Sequence, residues 1–254
     1  MGRHAVVMGG GMGIGEAIAR KLHADGFIVT VVDRIAALAD AVANDLGANA
    51  FSDAADITKP EQLAALADVM RERTGKDGLS AVVNSVGVFD YRLPLLQTDL
   101  ANFNRMLNVN LTGAFSFSIA MEPLMVAEAS MVHISSVNSS LAGRTLGAYK
   151  ISKAGLNMLV RCLATELARD PRKIRVNAVA PGWVDTPGER KVHQAQGTLD
   201  SIGDPEAMKF IPMGRMTKTT EIANTTAFLC SPQGFGITGQ IMNVDGGITN
   251  SEVC

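Results

Sequence analysis

Apolar and polar positions follow two periods along this chain, and the switches between them mark out its elements. His4 to Met8 is a short run rich in β-branched residues, followed by GGGMGIG and by Glu16 to Asp25, where Ala17, Ile18 and Leu22 recur at helical spacing. That sequence reads strand, glycine turn, helix. Ile28 to Asp33 (IVTVVD) predicts a second buried strand, Ile35 to Leu46 a second helix and Asn49 to Ser52 a short third strand. Pro60 opens a third helix to about Arg73, LSAVVNSVG gives strand four, and a long helical region runs from about Leu100 to Met125. Met131 to Ser135 predicts strand five, Tyr149 to Arg169 a helix, Ile174 to Ala180 strand six and Gln240 to Val244 strand seven, closed by Asp245, Gly246 and Gly247. Strands alternating with helices predict an α/β fold on a parallel sheet. A length of 254 residues suits one domain spanning 1–254. Between Pro181 and Arg215 the periodicity fades and Pro187, Gly188, Gly197, Gly203 and Pro205 punctuate a polar segment. So long a connection in a compact domain predicts a substrate lid around 187–215, with a disordered insertion as the alternative.

Composition narrows the class. Apolar residues make up 47% and charged residues 19%, enough for a large core and unlike the signature of disorder. A net charge of −2 with scattered Lys and Arg offers no attraction to phosphate backbones or anionic lipid, so neither nucleic acid nor a membrane is an expected partner. The longest uncharged candidate, Met106 to Met121, is broken by Asn108, Asn110, Ser116 and Ser118 and stops at Glu122, which argues against a membrane span. MGRHAVVM passes straight into a strand-like run, so no secretory signal is expected. Cys162, Cys230 and Cys254 are too few and too dispersed for a disulfide framework or a CxxC metal site, and a reducing, cytoplasmic location fits. Cys162 and Cys230 fall in apolar helical runs and read as small buried hydrophobes. The histidines, His4, His23, His133 and His193, are too scattered for a metal site; His133 reads as a satisfied buried imidazole, and only His193, in the lid, merits a test.

Candidate chemistry begins at the first turn. Gly9, Gly13 and Gly15 fit GxxxGxG between strand one and helix one, where glycine lets the backbone turn sharply and approach a pyrophosphate, with helix N–H groups facing the anion. A turn without a ligand is the alternative, but Asp33 ends strand two and supplies the carboxylate that accepts from adenosine ribose hydroxyls. The same charge repels a 2′-phosphate, and no basic residue lies among Gly10, Gly11 and Met12. NAD is therefore the expected cofactor, although Arg34 follows directly. Tyr149 and Lys153 stand four apart on a predicted helix, hence on one face. A free tyrosine titrates near pH ~10, and at an effective dielectric of about 20 an ammonium ~4 Å away attracts a phenolate by roughly 4 kcal/mol before desolvation. Such a pair can do acid–base work near neutral pH, although the spacing alone recurs in many helices.

In this order the residues resemble the short-chain dehydrogenase/reductase family of the single-domain Rossmann type, and the similarity runs nearly end to end. Gly9, Gly13, Ile14 and Gly15 resemble its cofactor turn, Asp56 and Ile57 its adenine-side pair, and Asn84-Ser85-Val86-Gly87 its NNAG segment. Asn110, Ser136, Tyr149 and Lys153 resemble its four catalytic positions. Pro181, Gly182, Val184 and Thr186 resemble the segment that holds the nicotinamide carboxamide, and Thr238 to Gly247 is similar to the last strand. Three positions depart: Met8 where the family usually has Thr, and Ser85 and Val86 for Asn and Ala.

The resemblance implies a doubly wound Rossmann fold, a seven-stranded parallel sheet with helices on both faces, and hydride transfer between NAD(H) and a secondary alcohol or ketone. In it Tyr149 is the general acid–base, Lys153 lowers the phenol's pKa and binds the nicotinamide ribose, and Ser136 positions the substrate oxygen. The family's serine stands thirteen residues before the tyrosine, which selects Ser136 over Ser135. Asn110 would bend its helix and hold a water linking Lys153 to solvent. The implied partners are a small-molecule substrate and further copies of the chain, as dimer or tetramer, through the helices carrying Asn110 and Tyr149. Pocket-wall candidates are Val88 to Arg92, Asn138, Arg144, Trp183 and the lid, with Arg92, Arg144, Arg190 and Lys191 expected to be solvated. An NADP-dependent 3-oxoacyl-thioester reductase of the same family is the alternative. A non-catalytic dinucleotide sensor is disfavoured by the intact catalytic set, and a sugar-nucleotide epimerase by the short tail after Gly247.

Overall fold

Alternation within the strands sets the layers. In β1 (Arg3–Met8), Ala5 and Val7 join one apolar cluster while Val6 and Met8 join another on the opposite face, as a period of two requires. The same happens in β2 (Phe27–Asp33), β4 (Leu79–Asn84), β5 (Met125–Ile134) and β6 (Arg175–Pro181), which with β3 (Ala50–Ala54) and β7 (Ile241–Val244) complete a seven-stranded sheet. A computed structural model describes residues 2–89, 92–195, 197, 202, 204, 206 and 208–250. Every strand pair is parallel, in the order β3-β2-β1-β4-β5-β6-β7.

Helices cover both faces. Ile18 and Leu22 of α1 (Gly13–Ala24), Ala39 and Val42 of α2 (Ala36–Leu46) and Ile222 and Ala227 of α8 (Thr219–Cys230) pack into the first cluster. The second takes Leu63 and Met70 of α3 (Pro60–Thr74), Phe117 and Met121 of α5 (Gly113–Met121) and Val160 of α6 (Gly147–Leu167). Phe117 is fully buried, worth about 1.5–3 kcal/mol by transfer alone. The chain winds outward from β1 to β3, then crosses back to β4 on the other side of β1. That reversal opens a crevice at the carboxyl ends of β1 and β4, the usual ligand position in a doubly wound sheet.

The helical region expected from Leu100 to Met125 is α4 (Leu100–Leu107), a π-helical turn at Asn108–Thr112, then α5, ending before Pro123. Strand β5 begins at Met125, six residues earlier than expected. Its first half is hidden by polar residues around Glu128, whose φ of 63° interrupts the ladder where the β4 pairing shifts register. Helix α6 starts two residues before Tyr149, at Gly147. The segment expected to form a lid, 187–215, begins with a helix, α7 (Pro187–Ala195). Gly203 and Pro205 of that segment lie outside the described residues, as does Cys254. Cys230 is buried but Cys162 is exposed, on the outer face of α6. Among the described residues, no helix is long and apolar enough to cross a membrane, and no cluster of three or more His, Cys, Asp or Glu could hold a metal.

Candidate active site

One cleft of about 1370 Å³ runs across the carboxyl edge of the sheet, larger than the ~300–1,000 Å³ of ordinary small-molecule pockets. At its far end the wall is backbone. Gly9 and Gly10 both donate to the Val32 carbonyl at 2.8 and 3.0 Å, and Ser85 donates to Met8 at 2.8 Å. The turn is thus ordered through the main chain without the hydroxyl that Met8 lacks. A Cβ on Gly15 would stand 1.9 Å from the Gly9 carbonyl oxygen, so only glycine lets α1 start this close to β1. No side chain caps that helix at Met12, which leaves N–H groups for an anion.

Asp33 lines the same wall and is held by the backbone, accepting from Gly11 at 3.2 Å and Ile35 at 3.1 Å. Beside it Asp56 accepts from the backbone and hydroxyl of Thr58 at 2.9 and 2.7 Å, and the backbone bond chiefly holds its carboxyl below the ordinary range. Ile57 is buried behind it against Gly113. Gly13, Ile14, Gly15 and Gly87 also line the cleft. Asn84 does not. It is buried beneath, its Oδ1 accepting from Val86 at 3.0 Å and its Nδ2 lying 3.4 Å from Nδ1 of His133. The other nitrogen of that imidazole faces Ser118 Oγ at 3.3 Å, and Ser118 donates to Ala114. With the serine proton spent, Nε2 carries the ring's hydrogen and Nδ1 accepts. Burial, and then the Lys153 charge, push His133 down to about 4.

At the middle of the cleft, α6 brings Tyr149 and Lys153 to the end of β5, beside Ser136. The Ser135 hydroxyl is committed to Asn157 at 2.6 Å. Ser136 instead takes the Asn138 backbone N–H at 3.1 Å and hydrogen-bonds the phenol. The Tyr149 ring is half-buried, and desolvation pushes its phenol up to about 12, against the Ser136 bond and with the Glu189 carboxylate adding to the rise. Burial pushes Lys153 down to about 8. The expectation that Lys153 holds the phenol's pKa down is therefore not met in this arrangement. Its ammonium donates to the Ile134 carbonyl at 2.8 Å and sits 5.9 Å from the centre of the tyrosine ring, so desolvation outweighs their attraction. Asn110 is buried in the π-turn behind Gly87. Its amide is taken by the backbone of Val88, at 2.8 and 2.9 Å, and by Ser152 at 3.0 Å.

The near end is built of side chains. Pro181 ends β6, and Gly182, Val184 and Thr186 follow it along the wall, Gly182 packing so closely on Asp245 that a Cβ would stand 2.7 Å from its Cα. The Thr186 hydroxyl accepts from the Glu189 N–H at 3.1 Å and so caps α7. Trp183 stacks between His193 and Phe210, with ring centres 5.5 and 5.6 Å away. Its indole N–H donates to Glu189 Oε1 at 2.8 Å, and Arg92 donates to the same oxygen at 2.9 Å. Arg92, expected to be solvated, is thus an ion-pair partner across the cleft mouth, while Arg190 pairs at the surface with Asp185. Glu189 and Phe210 escaped the sequence reading. The run Thr186-Pro187-Gly188-Glu189 was the available signal, a hydroxyl three residues before a glutamate with proline first in the helix.

A family model described as enoyl-(acyl carrier protein) reductase matches residues 9–249. Among curated relatives, a galactitol 2-dehydrogenase (L-tagatose-forming) of Cereibacter sphaeroides is 36% identical over 98% of this chain and 95% of its own length. A 3-oxoacyl-(acyl-carrier-protein) reductase of Aquifex aeolicus is 32% identical over 97% of both chains. Among solved structures, a 3-ketoacyl-(acyl-carrier-protein) reductase of Brucella melitensis complexed with NADH superposes with a TM-score of 0.86 at 30% identity, covering 98% of each chain.

Proposed function

The chain belongs to the short-chain dehydrogenase/reductase family of oxidoreductases, and on that premise we propose that it moves a hydride between NAD(H) and a secondary alcohol or ketone. The observation that carries this is the convergence of Ser136, Tyr149 and Lys153 on one cleft whose other end is a glycine turn at an uncapped helix start. The dinucleotide, when bound, supplies the hydride donor or acceptor. Gly9 to Gly15, Asp33, Asp56 and Ile57 would hold its adenosine and pyrophosphate, and Gly87, Pro181, Gly182, Val184 and Thr186 its nicotinamide end, with Asn84 supporting Val86 from beneath.

Tyr149 gives its proton to the nascent alkoxide oxygen in reduction and takes it back in oxidation. A phenol near 12 keeps that proton at neutral pH, the state reduction requires, and a lysine near 8 is still mostly ammonium there. Ser136 steadies the substrate oxygen. Asn110 fixes Val88 and, with Ser152, the floor under Lys153. Asp33 favours NAD, in keeping with the NADH complex of the Brucella structure.

Residues 1–254 act as one domain, with 187–215 as its lid. Exposed Phe115, Ile119, Ile151 and Met158 on α5 and α6 suit burial between copies in a dimer or tetramer. The free thiols Cys162 and Cys230 suit a reducing cytoplasm. The second reading, an NADP-dependent 3-oxoacyl-thioester reductase, draws on the Aquifex relative and on Arg34 in the cleft wall. A panel of secondary alcohols, ketones and an acetoacetyl thioester, each with both dinucleotides and followed by reduced-nicotinamide absorbance, separates the two. Faster turnover of alcohols and simple ketones with NAD(H) is expected; turnover of the thioester alone, with NADPH, replaces the first reading by the second.

A further inference from the structure

Glu189 lies in the wall of the same cleft as Tyr149 and Ser136, and its two oxygens are used differently. Oε1 accepts from Trp183 Nε1 and from Arg92, which also balances its charge. His193 Nε2 stands 3.2 Å from that oxygen and 3.3 Å from the Arg92 guanidinium, so it donates to one or accepts from the other, never both. Among the described residues, Oε2 takes no hydrogen bond. The side chain is only 13% exposed, and Oε2, which is not among the buried atoms left without a partner, is open to solvent and so to a donor in the cleft. It can accept and cannot give.

We infer that Glu189 Oε2 accepts a hydrogen bond from a substrate hydroxyl beside the reacting carbon, so that the enzyme takes neutral vicinal diols and α-hydroxy ketones and turns away 3-oxoacyl thioesters. This rests on the hydride-transfer reading above. A thioester presents an acceptor where Glu189 needs a donor. A site built to hydrogen-bond a hydroxyl rejects the analogue lacking it far more strongly than an apolar pocket rejects a missing methylene.

Acetoin, its methyl ether and butanone test this. Each takes up one hydride from NADH and one proton to become the corresponding alcohol, and only acetoin carries a donor beside the carbonyl. In the wild-type chain, kcat/KM for acetoin should exceed that for both others by at least tenfold; a smaller margin overturns the proposal. In Glu189→Gln, Trp183 and Arg92 still claim an oxygen, which turns the amide NH2 toward the cleft. The ratio of acetoin to methyl ether should then fall at least tenfold, and any smaller fall overturns the assignment. If that variant does not fold, the methyl ether on the wild type decides alone. Turnover of none of the three while another alcohol or ketone of the panel is turned over, or turnover without the margin, defeats only the role of Glu189; turnover of no member of the panel with either dinucleotide defeats the hydride-transfer reading itself.

Discussion

The two ends of the cleft are made of different material. At the end of the glycine turn, Gly9, Gly10, Gly11 and Ser85 close the wall through main-chain groups bound to Val32, Asp33 and Met8. At the opposite end, Trp183, Glu189, His193, Phe210 and Arg92 make it from side chains, Arg92 reaching Glu189 across 97 residues of chain. Backbone cannot vary with sequence as side chains do. Apart from the Asp33 carboxylate, one end is therefore set by the main chain, and the other can be re-specified without disturbing the sheet.

Tyr149 sits where the two meet, so its removal should be the largest effect. Tyr149→Phe is expected to lower kcat by roughly 10²–10⁴-fold while NADH binding, read by fluorescence, stays within reach of the wild type. Retention of even a tenth of the activity would take the tyrosine out of the proton transfer and dissolve the division between the two ends.

The backbone end rests in turn on the Asn84 amide and the neutral His133 beneath it, which gives it a dependence on acidity. His133 has a folded value near 4 against an ordinary 6.5, so the unfolded chain binds the proton first. Its contribution is whole above about pH 6.5 and is lost as pH falls toward 4, by up to about 3 kcal/mol. His133→Gln should flatten the curve of thermal midpoint against pH across that window. An unaltered slope would show that acid acts elsewhere.

The smallest effect sharpens the comparison at its outermost point. Asp33→Gly is expected to move the kcat/KM ratio of NADP to NAD upward by about tenfold, roughly 1.4 kcal/mol. A ratio that stays put in paired steady-state assays would mean that Arg34, rather than the carboxylate, sets the choice of dinucleotide.

The same contrast explains how far the sequence could be read. Seven strands and the phosphate turn declared themselves because apolar runs and glycines are local signals: Gly15 is glycine for a reason contained within Gly9 to Gly15. The seriate positions Ser136, Tyr149 and Lys153 could be singled out by resemblance, but the balance between attraction and desolvation at Tyr149 depends on distances no spacing encodes. The run from Thr186 marks Glu189 as part of a helix start but does not give its role, for a related cause. Its partners come from distant parts of the chain, and a glutamate on a surface-looking stretch differs in nothing from a solvated one until Arg92 and Trp183 arrive. Strand β5 lost its first half to Glu128, where a left-handed residue breaks the alternation that betrays a strand.

The π-turn at Asn108–Thr112 carries a consequence of another kind. Such a turn holds one residue more than a regular helix needs, and each residue of an α-helix advances the face by about 100°. Losing any one of those five positions would let the helix run evenly while swinging Asn110 away from Val88 and Ser152, whose bonds hold the loop after β4. Here the chain's length is as much a part of the site as its composition, and a single-codon deletion would do what few substitutions could.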